Sequence, residues 1–311
     1  MDYRGTDHTG TYYPSATGYE PVLTPGEAAE FARSLHDAPD RHFGQDPVPV
    51  LLYEPGASLR ERREAFQEVY DTVVARIGEP TLYGGSAEGP NVRWRDGDRV
   101  VLLAGNRTRA QLSVHGTDAL ESEERRTFEW GGPCSADEPH DFEYLPYTWQ
   151  LDRSGPGERP TERPGARMAS GLEHFESALE LLLAAWVEQL PVQVGTDWAS
   201  FCLTSGVDRG RQLLVSYSLA DGLHASIDDR DGEDSPERAH QMVARGWQSR
   251  DRGWWQTDIE DPDRASAAAV ARLALTELRA RGTREPEELR ARDASCKDRG
   301  ELWLPGLGIR H

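Results

Sequence analysis

Cys134, Asp137, Glu138, His140 and Asp141 fall within eight residues and bring together thiolate, carboxylate and imidazole, the side chains that hold transition metals. The same residues also make an ordinary acidic loop. Cys134, Cys202 and Cys296 are odd in number, far apart and never in a CxxC pair, so neither a metal site nor a disulfide framework is expected. His224 would form a thiol-imidazole dyad with Cys202 if their strands were adjacent; the plainer reading is a surface histidine. The run from Asp228 to Asp234 has the look of a cation site. An EF-hand loop centred on Gly232, however, would put Ile227 first and Arg238 twelfth, where carboxylates are required, so the run reads as a solvated loop that lends negative charge to a helix starting at Ser235. Gly84-Gly85-Ser86-Ala87-Glu88 approaches a serine elbow but ends in Glu where the turn needs Gly. Lys297 is the only lysine, and Ser295-Cys296-Lys297-Asp298 is no strand-to-helix turn, which argues against a Schiff base or a P-loop. No catalytic residue, metal or cofactor is expected, and the chain is read as a non-enzyme.

Aromatic side chains are the remaining candidates. Trp247, Trp254 and Trp255 lie within nine residues, and aromatic residues dominate both cores and recognition surfaces. Trp254 and Trp255 are consecutive, so on a strand they point to opposite faces and one of them stands outside the local core. With Tyr217 on a neighbouring strand, these four form the expected partner-binding set.

The elements that must position them are legible from caps and periodicity. Ser58-Leu59-Arg60-Glu61 and Ser170-Gly171-Leu172-Glu173 are both capping boxes, each opening a long helix. Phe66, Val69, Tyr70, Val73, Val74 and Ile77 form the apolar face of the first, which Gly78 and Pro80 end; Leu172, Phe175, Leu179, Leu182, Leu183, Trp186 and Leu190 form that of the second, closed by Pro191. Each is followed by a hairpin signal: 91–95 and 99–104 flank Asp96-Gly97-Asp98, and 212–219 and 223–227 flank Ala220-Asp221-Gly222. Leu213, Val215, Tyr217 and Leu219 alternate with Leu214, Ser216 and Ser218, the pattern of a sheet covered on one side. Further strands are predicted over 109–115, 199–204 and 254–259. Short helices are predicted from Thr24 to Leu35 and from Ser235 to Arg245, and a last one follows Asp261-Pro262.

The chain has 311 residues, enough for two domains, and 37% hydrophobic residues, enough for a core. Asp152 to Arg167 contains three Gly, three Pro and no large apolar side chain, and reads as a linker. The expected organisation is therefore a mobile N-terminus (1–23), an α+β domain (24–150), a linker (151–169), a second α+β domain (170–290) and a tail (291–311) that is mostly polar apart from Leu302-Trp303-Leu304. Each domain is a long helix followed by an antiparallel sheet, with two further covering helices in the second. The repeated order hints at a duplicated unit. Asp plus Glu number 54 against 35 Lys plus Arg, a formal charge of -19, which disfavours nucleic acid and anionic membranes. With no apolar run long enough to span a bilayer and no signal-peptide pattern at the start, a cytoplasmic protein is expected.

Residues 170–290 resemble the YbjN-like and TY-Chap group. The resemblance rests on an amphipathic helix, three strands, Ala244-Arg245-Gly246-Trp247, Gly253-Trp254-Trp255, and Asp261-Pro262 leading into an Ala-rich helix that ends in Leu278-Arg279. Domains of this group are similar to type III secretion chaperones, which implies a fold that binds a peptide or partner protein and no catalytic residues. The expected function is thus a chaperone-like module that takes a partner polypeptide, basic in character, on exposed sheet and aromatic surface; a second copy of the chain is a further candidate partner. The alternative is an acidic immunity protein that blocks the basic cleft of a toxin.

Overall fold

The computed structural model describes residues 19–130, 141–153, 168–208, 211–229, 235–251, 253–296 and 300–311. Most of the expected mobile N-terminus, the loop from Cys134 to His140 and the body of the Gly/Pro linker lie outside these residues. The fold is α+β, with six α-helices and two antiparallel sheets among the described residues. In chain order the elements are β1 (Tyr19–Pro21), α1 (Pro25–Asp37), β2 (Val48–Tyr53), α2 (Leu59–Ile77), β3 (Leu82–Gly85), β4 (Asn91–Arg95), β5 (Arg99–Gly105), β6 (Arg109–Gly116), α3 (Thr117–Trp130) and β7 (Trp149–Asp152). There follow α4 (Leu172–Val194), β8 (Ala199–Ser205), β9 (Leu213–Ser218), β10 (Gly222–Asp228), α5 (Pro236–Ala244), β11 (Gln248–Asp251), β12 (Trp254–Ile259), α6 (Arg264–Ala280), β13 (Leu289–Cys296) and β14 (Glu301–Trp303).

The helix starts follow from their caps. Thr24 and Ser58 both complete capping boxes, with Glu27 and Glu61 reaching back to the cap, and Gly78 closes α2 at φ 90°, where a side chain would be strained. The box expected at Ser170 does not form. Gly171 is the N-cap of α4 and brings no side chain to it, Ser170 bonds His174 instead, and Glu173 pairs with Arg279 of α6. The last helix starts two residues later than Asp261-Pro262 suggests, because the Asp263 carboxylate accepts from the Ser266 amide at 2.7 Å.

The eight-stranded sheet runs in the order β1-β2-β6-β5-β4-β3-β7-β14 and the six-stranded sheet in the order β11-β12-β10-β9-β8-β13. On the larger sheet, Val92, Trp94, Val101, Leu103, Ala110 and Leu112 face the core, and Trp94 Nε1 donates to the Gly78 carbonyl at the end of α2. Arg93 and Arg95 alternate with these residues and face α3, where Arg93 makes a bidentate pair with Glu124 at 2.9 and 2.6 Å and Arg95 meets Glu121 at 2.6 Å.

Helix α4 is the centre of the molecule. Every residue from Leu182 to Val194 is buried, because α2 and β3 pack on one side and α6 with the smaller sheet on the other. Its two buried glutamines are absorbed by the larger sheet. Gln193 accepts from the Gly84 amide at 2.7 Å and donates to its carbonyl at 2.8 Å, while Gln189 accepts from Trp149 Nε1 at 2.7 Å and donates to the Ser86 carbonyl at 2.9 Å. Glycine at 85 permits this approach: a Cβ there would lie 1.9 Å from Gln189 Oε1, while one on Gly84 would meet the Trp149 carbonyl of β7. The near-serine-elbow at Gly84-Gly85-Ser86 is therefore a docking point for a helix.

The described residues of the expected tail are built into the fold. β13 pairs with β8, β14 pairs with β7 of the larger sheet, and Leu302, Leu304, Leu307 and Ile309 are buried. Leu302-Trp303-Leu304 already stands out from the polar composition, and in β13 exposed arginines alternate with the buried Leu289 and Ala291.

Candidate functional site

Sheets of six strands have two faces, and here only one of them carries helices. Phe201, Leu203, Leu213, Val215, Leu223, Ala225 and Ile227 point to α4 and α6 and are fully buried, with Trp186 of α4 edge-on to Phe201 at 5.5 Å between ring centroids. Among the described residues no helix packs on the opposite face. The pairing register assembles that face into rows. One row runs Ser295, Ser200, Ser216, His224, Asp258 from β13 to β12, and the next runs Arg292, Cys202, Leu214, Ser226, Gln256 and ends at Gln248 of β11. Asp228 and Trp254 lie opposite one another beyond them.

Polar groups on this face are ordered by one another. His224 Nδ1 and Asp258 Oδ1 are 2.6 Å apart, and Gln256 Nε2 donates to the other Asp258 oxygen at 2.7 Å. At the hairpin joining β9 to β10, Ser218 Oγ donates to Asp221 Oδ2 and accepts from the Asp221 amide, both at 2.9 Å. Next to this turn lies a hollow of about 370 Å3, bounded by Trp198, Ser200, Leu214, Ser216, Ser218 and Asp221. Trp198 is 40% exposed although it adjoins a strand whose next residue, Ala199, is fully buried. Ala199 points inward, so the preceding side chain is turned outward by the pleat.

The four aromatic residues expected to make the contact surface separate. Tyr217 (2% exposed), Trp247 (1%) and Trp255 (7%) are core residues and offer nothing to a partner. Tyr217 and Trp255 occupy inward positions of β9 and β12, and Trp247 is the residue at which the chain turns from α5 into β11. Trp254 alone faces outward, half-buried beside Asp228. Trp198 and Leu214 join it. Leu214 was visible as the out-of-phase apolar residue in β9, and Trp198 as an aromatic one residue ahead of a buried strand start.

The remaining sequence candidates are placed as follows. Cys202 on β8 and His224 on β10 are separated by β9 and lie in different rows, so no dyad forms; burial and the nearby Asp293 push the Cys202 thiol up, away from a thiolate. Asp229 is buried and pairs with Arg211 and Arg238, each at 3.0 Å, which makes it structural; residues 230–234 lie outside the described ones. Asp141 caps a 3-10 turn through the Glu143 amide. A larger cleft of about 790 Å3 opens between the N-termini of α2 and α6, where Arg62 pairs with Glu188 at 2.8 Å and Arg107 with Glu88 and Glu143 at 3.1 Å. No described helix is long and apolar enough to cross a membrane. No family model, no curated protein and no solved structure matches this chain.

Proposed function

We propose that this chain is a non-enzymatic, chaperone-like module that binds another polypeptide on the uncovered face of its six-stranded sheet. The observation that carries the reading is the composition of that face. Trp254, Leu214 and Trp198 stand among serines on a surface that no described helix covers, and an apolar group left at a polar rim is the usual character of a contact surface. The resemblance of residues 170–290 to YbjN-like and TY-Chap domains supports the same reading. A formal charge of -19 selects basic partners and speeds their encounter at low salt.

An array of short peptides spanning basic, acidic and apolar compositions, probed with the full-length protein, tests this. We expect binding in the micromolar range that falls on the order of tenfold in Trp254→Ala or Leu214→Glu, with the melting temperature nearly unchanged because both side chains are partly exposed. A protein that ignores every peptide, or whose binding survives both substitutions, would exclude the uncovered face as the contact surface.

A further inference from the structure

The geometry points to the Trp198 hollow as a socket for one lysine or arginine side chain of the bound polypeptide. This inference rests on the sheet-face reading above and makes it specific. Trp198 lines the hollow and is 40% exposed, and tryptophan is the best aromatic partner for a cation. Leu214 lines the hollow together with Ser200, Ser216 and Ser218, and most of its exposed surface is apolar. A long aliphatic stem fits against Leu214 and the indole, and an ammonium or guanidinium head finds acceptors beyond it.

Charge complementarity decides the occupant. Asp221 lines the hollow with one carboxylate oxygen on Ser218, and its other oxygen has no hydrogen bond among the described residues. Asp258 stands two strands along the same serine row, and Glu260 follows it at the strand end, beside Gly222. Arg290 and Arg292 of this face sit on the edge strand β13, paired with Thr204 near the end of β8 and Cys202 at its middle, and neither lines the hollow. Asp258 is already engaged by His224 and Gln256, so Asp221 is the carboxylate that meets the occupant: a basic side chain is held by ring and carboxylate together, an acidic one is repelled by Asp221, and a neutral apolar one gains the ring alone.

The test uses the full chain and four labelled extended peptides that differ at one central position: lysine, arginine, norleucine and glutamate. Binding is read by fluorescence anisotropy, and the site by the indole N–H resonance of Trp198, assigned through Trp198→Phe. The expected result is that the lysine and arginine peptides bind on the order of tenfold more tightly than norleucine, move the Trp198 resonance, and lose that advantage in Asp221→Asn and Trp198→Ala. Equal affinity for norleucine, or lysine preference that persists in both variants, overturns the socket. In that event loss of peptide binding in Trp254→Ala, at the opposite corner of the face, still upholds the sheet as the docking surface; binding indifferent to all three substitutions overturns both.

Discussion

Arg62 and Glu188 are each 4% exposed and meet at 2.8 Å between α2 and α4, with the buried Arg62 Nε and the Tyr53 hydroxyl left without hydrogen-bond partners nearby. Burial pushes the Glu188 carboxyl up to about 7, because loss of water outweighs the attraction of Arg62 and the weaker pull of Arg264. A carboxyl whose folded value is raised holds a proton that the unfolded chain has released. Its contribution is therefore fully present below about 4.5 and is lost as pH rises towards 7. Stability measured by urea unfolding is expected to fall by roughly 2 to 3 kcal/mol across that window relative to Glu188→Gln, which lacks the titration and keeps an acceptor for Arg62. Parallel pH profiles for the two proteins would remove Glu188 from this role.

Among the elements, α3 shows how a helix can be held by charge. Its 14 residues carry few large apolar side chains, and among the positions it buries are Thr117, Glu121 and Glu124. Two buried arginines of β4 hold it through Glu124 and Glu121. Replacing Arg93 with Ala strands the Glu124 carboxylate beneath the helix and is expected to cost about 3 to 5 kcal/mol. The double substitution Arg93→Met with Glu124→Leu should recover most of that loss, since an apolar pair fills the same space without desolvated charge. Urea midpoints of the wild type and both variants check this; a double variant as unstable as the single one would mean the ion pair itself stabilises the fold. Caps and amphipathic stripes, by contrast, made α1, α2, α4, α5 and α6 legible, and Asp-Gly turns did the same for the β4–β5 and β9–β10 hairpins.

At the scale of the whole molecule, the two sheets share α4 and the last residues of the chain. Leu304, Leu307 and Ile309 are fully buried and Leu302 nearly so, at the end of a segment that reads as a mostly polar tail. Burying each such side chain contributes about 1.5 to 3 kcal/mol, so deleting residues 300–311 removes a stabilisation comparable to that of an average protein. The truncated chain is expected to lose its cooperative transition, and the intact chain to unfold in a single calorimetric step. Two well-separated steps in the intact protein would show that the sheets are independent despite the shared helix.

Local signals in the sequence settled the secondary structure wherever a residue's own neighbours decide it: a hydroxyl reaching an amide three residues on, a glycine at positive φ, an alternation that a pleat converts into two faces. They also gave the α+β class and a sheet with one covered side. Tertiary structure alone decided which aromatic residues face water. Trp254 and Trp255 have the same composition and adjacent positions, yet one is core and the other surface, because α5, α6 and β10 fix which side of β12 is covered. The same holds for Trp198, whose exposure depends on the register of β8 against β9, and for β14, which finds its partner strand about 150 residues earlier in the chain. Such choices depend on contacts between distant segments, and spacing along the chain does not encode them.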